Sequence, residues 1–160
     1  MTKRIENPIR QRLTTQGFDV EALPMEVTPW LRWSTSFCAG FTLLGTVLES
    51  APLLWALAAT ALLGVVLPFH PFDVLYNYGV RHLTATPRLP SNPPPRRFAC
   101  AVGTVWLVAT GAAFHWGHTT LGVVLGLALV AVAGLVSVTH ICIPSIMYQR
   151  MVKGVGRIRT

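Results

Sequence analysis

Residues 98–149 read FACAVGTVWLVATGAAFHWGHTTLGVVLGLALVAVAGLVSVTHICIPSIMYQ, without one Lys, Arg, Asp or Glu. A transmembrane helix needs about 20 mostly apolar residues, so this stretch has room for two helices and the turn between them. Residues 33–80 repeat the arrangement, interrupted only by Glu49 and Asp73. The thirteen Lys and Arg residues fall in the N-terminal arm through Arg32, the segment from Arg81 to Arg97, and the tail from Arg150. The two remaining connections carry none. Positive residues stay on the cytoplasmic side of a membrane, so four spans with both termini inside satisfy the rule without exception.

The expected fold is an all-α membrane protein of four transmembrane helices arranged as two hairpins. Their expected ranges are about residues 30–48, 51–67, 98–116 and 119–143. A cytoplasmic arm (1–29) precedes this transmembrane domain (30–149), and a basic cytoplasmic tail (150–160) follows it. Thr28 offers an N-cap and Pro29 a first helical position where its missing N–H costs nothing. Glu49-Ser50 and His115-Trp116-Gly117-His118 read as the two outer turns. Between the second and third spans, Asp73 caps a short interfacial helix, Val74 to Leu83. From Thr84 to Pro95 the text TATPRLPSNPPP enforces an extended, proline-rich cytoplasmic strap. Trp30 and Trp33 fall at the inner interface and Trp55 and Trp116 near the outer one, as an aromatic belt requires.

With 52% hydrophobic and 12% charged residues and a mean hydropathy of +0.51, the chain is too apolar for a soluble domain. The sequence pI near 10.2 reflects charge at helix ends, where it sets topology and meets anionic lipid headgroups; it gives no reason to expect a nucleic-acid partner. The first 29 residues hold no apolar core followed by a small-residue cleavage site, so the first helix is expected to be an uncleaved anchor. The composition and topology point to a bacterial inner membrane.

The candidates for chemistry are few. His115 and His118 have HxxH spacing and can share a metal, but zinc or copper normally takes three or four protein ligands. The plainer expectation is two interfacial histidines bonded to water and headgroups. His140, one turn from the inner end of the fourth helix, is a candidate ligand for haem or a chlorophyll-type pigment, set against a helix-to-helix hydrogen bond. Cys142-Ile143-Pro144-Ser145 has the spacing of CxxC with serine in the second position, which cannot resolve a mixed disulfide. Cys100 is expected on the same inner side, making a Cys100–Cys142 pair geometrically conceivable. No Ser-His-Asp set, carboxylate pair or phosphate loop is present. Gly122, Gly126 and Gly134, with Gly103 on the preceding helix, mark faces for close helix packing.

His70-Pro71-Phe72-Asp73-x-x-Tyr76-Asn77, Pro93-Pro94-Pro95-Arg96-Arg97-Phe98-Ala99 and Cys142-x-x-Ser145-x-x-Tyr148 together resemble the bacterial domain-of-unknown-function family 4395. The resemblance covers about Pro29 to Met151 and implies a four-helix membrane protein. Many members of that family end the last helix in CxxC followed by a tyrosine three residues on, and here Ser145 stands at the second cysteine position. The expected role is a non-catalytic accessory or scaffold subunit of a larger energy-converting or redox membrane assembly, with no cofactor of its own. It would pack against other integral subunits and use Pro87, Arg88 and Pro90 of the strap as a docking element. Two alternatives stand beside it: a membrane thiol-redox partner using Cys142 and Cys100, and a haem- or pigment-binding subunit using His140.

Overall fold

The computed structural model describes residues 8–21 and 23–158 and contains helices but no strand among them. The ends of the arm and tail (1–7, 159 and 160) and residue 22 lie outside the described residues. Helix α1 (Pro8–Thr15) is followed by a 3-10 helix, Met25–Arg32, which leads into α2 (Trp33–Val47). Pro29 lies inside the 3-10 segment, so the regular first helix starts at Trp33 rather than at Trp30. Ser50 then caps α3 (Ala51–Val66), its Oγ accepting from the Leu53 N–H.

The chain bends by 80° after α3. His70 caps α4 (Pro71–Leu75) through Nδ1, with Pro71 at the start of the helix. A π-helical turn (Tyr76–Val80) and α5 (Arg81–Thr84) complete the interfacial segment. The strap leads to α6 (Pro94–His115), which begins within the proline run because prolines suit the first turn of a helix. A turn at Trp116–His118 joins it to α7 (Thr119–Thr139).

The fourth apolar helix stops at Thr139 rather than near Ile143. His140 takes left-handed backbone angles (φ 57°), and Pro144 opens a new helix, α8 (Ile143–Ile158), which runs through the basic tail. Among the described residues two helices, α6 and α7, are long and apolar enough to cross a membrane, and α3 with its bent continuation forms a third candidate span. Four such helices were expected; α2 falls short because the 3-10 segment leaves it only 15 α-helical residues, about 22 Å at 1.5 Å per residue.

Packing is a ring rather than two separate hairpins: α2 meets α3 and α7, and α6 meets α3, α7 and α8. Small residues set the close approaches. A Cβ added at Gly126 would overlap the Thr46 side chain on α2, and one at Gly122 would come 2.6 Å from Phe114. Gly103 and Gly134 have open space instead, so the glycines do not form one continuous packed face.

The arm belongs to the folded body. Leu13, Phe18, Val27, Leu31, Tyr76 and Leu89 form a buried cluster at the basic end of the bundle. Arg12 donates to the Thr139 carbonyl at 2.7 Å and Gln16 to the His140 carbonyl at 2.7 Å, so the arm caps the end of α7. Leu13 is almost fully buried, and Leu13→Ala is expected to cost about 2–5 kcal/mol. A drop in the thermal midpoint of the purified protein, with its helix content retained, is the measurement to make.

Candidate functional site

At the basic end of the ring lies a cavity of about 160 Å³ whose wall includes Cys38, Cys100 and Cys142, the only cysteines in the chain. They come from three separate segments. Cys38 is on α2, Cys100 is in the second turn of α6, and Cys142 sits in the break between α7 and α8. All three are free thiols, and Cys142 is buried.

His70 and Arg96 also line the wall, together with the uncharged polar side chains Gln16, Ser34, Thr35 and Thr42. The His70 Nε2 lies 3.9 Å from the Cys38 sulfur, and its Nδ1 accepts from the Phe72 N–H at 3.3 Å. Burial holds this imidazole well below its ordinary range, at about 4, with Asp73 pulling it up and Arg96 pushing it down. It is therefore neutral at physiological pH, and because Nδ1 accepts, Nε2 carries the proton and faces the sulfur as a donor.

Arg96 is held from three directions. Its Nη2 donates to the Ser34 Oγ at 2.6 Å and to the Leu31 carbonyl at 3.3 Å, and lies 3.4 Å from the Asp73 Oδ2. Its guanidinium also stands over the Phe18 ring at 5.6 Å. Asp73 is 0% exposed, and neither of its carboxylate oxygens makes a hydrogen bond; the Arg96 Nη1 is buried without a partner as well. The ion pair ties α4 to α6, and through Ser34 to α2. A buried pair of this kind positions elements strongly even where its net contribution to stability is small.

The serine of the CxxS motif faces elsewhere. Ser145 is fully buried and donates to the Pro95 carbonyl at 3.2 Å, pinning α8 to the start of α6, while the Tyr148 ring meets Phe98 at 5.7 Å. Cys142 and Cys100 are thus on one cavity, and Ser145 is a structural link beside it.

The other sequence candidates lie apart. His115 and His118 are exposed at the opposite end, His115 5.2 Å from the Trp55 ring. His140 is buried at the C-cap of α7 with its Nε2 unpartnered; burial, then Arg32 and Arg12, lower its pKa. Among the described residues no three His, Cys, Asp or Glu side chains come together as a metal ion would need. The strap is fastened to its own chain: Leu89 is buried, with its N–H donating to the Asn77 Oδ1 at 2.8 Å, and Arg88 is exposed over the Tyr78 ring at 5.3 Å. Pro87 and Pro90 flank this anchor, half-buried.

Cys38, His70 and Arg96 of the wall were not among the sequence candidates for chemistry, although His70 and Arg96 belong to the motifs that carry the family resemblance. Arg96 reads as an edge charge, Asp73 as a helix cap and His70 as part of a turn. The available signal was Asp73 itself, because a carboxylate inside an otherwise uncharged run is expensive and calls for a partner.

The family described as Domain of unknown function (DUF4395) matches residues 28–153. The chain belongs to this family. The match takes in every cysteine, His70, Asp73 and Arg96; Gln16 of the cavity wall, α1, the first three residues of the 3-10 segment and the end of α8 fall outside it. No curated protein and no solved structure matches the chain.

Proposed function

We propose that this protein is a membrane-embedded thiol–disulfide protein in which Cys100 and Cys142 form the working pair and Cys38 the third thiol. In this reading α2, α3, α6 and α7 all cross a bacterial inner membrane, with both termini and the strap cytoplasmic. The apolar side chains on their outer faces, such as Val105 and Val138, suit lipid, and the basic residues at one end suit anionic headgroups. The observation that carries the proposal is the convergence of all three cysteines on one cavity beside a neutral histidine and a buried arginine. Isolated buried cysteines behave as small hydrophobes, and three of them meeting at one wall are better matched to chemistry. The accessory-subunit reading drew its weight from the lack of a chemistry-bearing cluster in the sequence, and the cavity supplies one.

Titration in thiol–disulfide buffers, with alkylation by a maleimide that shifts gel mobility, tests this. The wild type is expected to lose two alkylatable thiols in one cooperative step, and Cys100→Ser or Cys142→Ser to abolish that step. Three thiols alkylated at every poise would refute it. Topology is tested separately by impermeant labelling of intact cells carrying one cysteine at position 2 or 159. No reaction is expected from outside, and labelling there would overturn the orientation.

One observation favours keeping the accessory-subunit reading as a second. Gly134 on α7 has open space where a Cβ would be, which leaves room for a helix of another subunit. Replacing Pro87, Arg88 and Pro90 by Gly and Ser should then reduce co-purification with membrane partners. Unchanged co-purification would remove this reading.

A further inference from the structure

A dithiol needs a two-electron partner, and the shape of the cavity narrows the kind. Its volume of about 160 Å³ is close to that of an engineered apolar cavity of about 150 Å³ that holds one benzene ring. Leu107, Leu129, Val132 and Trp106 make much of the wall apolar. The Trp106 indole is fixed by its N–H, which donates to the Leu125 carbonyl at 3.1 Å.

The polar part of the wall is specific. Arg96 is 8% exposed, lines the cavity, and leaves Nη1 without an acceptor. A buried charged donor without an acceptor is costly, and a ligand oxygen would satisfy it. On the other side, an apolar groove of about 500 Å³ lined by Ala101, Val102, Val105, Trp106, Ala109 and Leu125 shares Val102 and Trp106 with the cavity. The groove reaches the outside of the bundle, where Val105 is exposed. The two spaces together suit a six-membered ring that carries an oxygen acceptor and is joined to an apolar tail.

We propose that the cavity takes the head group of a membrane quinone, with its tail along the groove, and that the quinone is the oxidant of Cys100 and Cys142. This rests on the thiol–disulfide reading above. In the reaction one thiol, deprotonated, adds to a ring carbon and forms a C–S bond. The second sulfur attacks the first, the S–S bond forms, and the C–S bond breaks. The electron pair leaves with the ring, whose two oxygens take up the two thiol protons to give the quinol. Two thiols and one quinone thus become one disulfide and one quinol. Arg96, by donating to a ring oxygen, stabilises the negative charge that develops there.

The test uses the full-length protein in lipid nanodiscs with decylubiquinone as the probe. Ultraviolet absorbance follows quinone reduction, alkylation counts thiols, and quenching of tryptophan fluorescence reports binding. One quinol should form per protein as two thiols disappear. Cys100→Ser should bind the probe and leave it oxidised. Arg96→Gln should bind about tenfold more weakly, the loss of one charged hydrogen bond. Because Arg96→Gln also breaks the Asp73 pair, Gly103→Phe provides a second variant: Gly103 lines the cavity and a Cβ there meets no neighbour, so the ring is expected to occupy the site. It should weaken binding tenfold or more while the helix content stays the same. If diamide forms the Cys100–Cys142 disulfide but decylubiquinone neither binds nor is reduced, the quinone proposal fails and the thiol site stands. If diamide forms no disulfide, both fail. Binding without thiol loss, or equal binding by Gly103→Phe, also overturns the quinone proposal.

Discussion

Asp73→Ala is expected to destabilise the protein by about 3–5 kcal/mol, because it leaves the Arg96 guanidinium buried and uncompensated. Asp73 has no exposed surface and lies 3.4 Å from Arg96, so water cannot replace the missing carboxylate without opening the end of the bundle. The damage should spread beyond α4, since Arg96 also holds Ser34 of α2 and the Leu31 carbonyl of the 3-10 segment before it. A double variant, Asp73→Leu with Arg96→Met, should recover most of the loss, because removing both charges spares the cost of desolvating either. Thermal unfolding in one detergent, compared across the wild type, the single and the double variants, measures this. A single variant as stable as the wild type would show that the pair does not hold the helices together.

Gly126→Leu is the second large effect. A Cβ at this position already overlaps Thr46, whose hydroxyl is held by donating to the Thr42 carbonyl at 2.7 Å. The side chain therefore cannot swing aside without giving up that bond, and α2 and α7 must separate. Overpacking of a well-filled interior costs typically about 1–3 kcal/mol, and here the added volume is much larger than one methylene. If both helices lie in a bilayer, as proposed, no hydrophobic drive pushes them back together, so the dispersion attraction forfeited by their separation is not made up. Gly126→Leu should thus sharply lower the yield of folded protein, while Val124→Leu on the exposed side of the same helix should be nearly silent. Equal yields for the two, read by size-exclusion chromatography in mild detergent, would contradict the placement of α7 against α2.

The apolar helices α6 and α7 were legible in the sequence because a run of uncharged residues is a local signal, and so were the turns at Ser50 and His118; α8 was not, because it joins the last apolar residues to the basic tail. The end of α7 was not, since the residue in left-handed conformation is His140 rather than glycine, and the apolar run continues past it. The arm reads as a polar appendage because Leu13 and Phe18 bury against Tyr76 and Leu89, residues far along the chain. The site was obscured for the same reason. Asp73 and Arg96 are separated by the strap, and Cys38, Cys100 and Cys142 lie on three different segments with no motif spacing among them. Only the Cys100–Cys142 juxtaposition was within reach, through the expectation that both belong to the inner end.

The central claim is that the cysteine-lined cavity performs thiol chemistry. It is tested most directly by quenching living cells in acid, alkylating the free thiols, and identifying the cysteine linkages of the purified chain by mass spectrometry. The expected result is a fraction of molecules with a Cys100–Cys142 disulfide, which rises under oxidising conditions, is reversed by reductant, and is absent from Cys100→Ser. Recovery of Cys38, Cys100 and Cys142 as free thiols under every condition would contradict it.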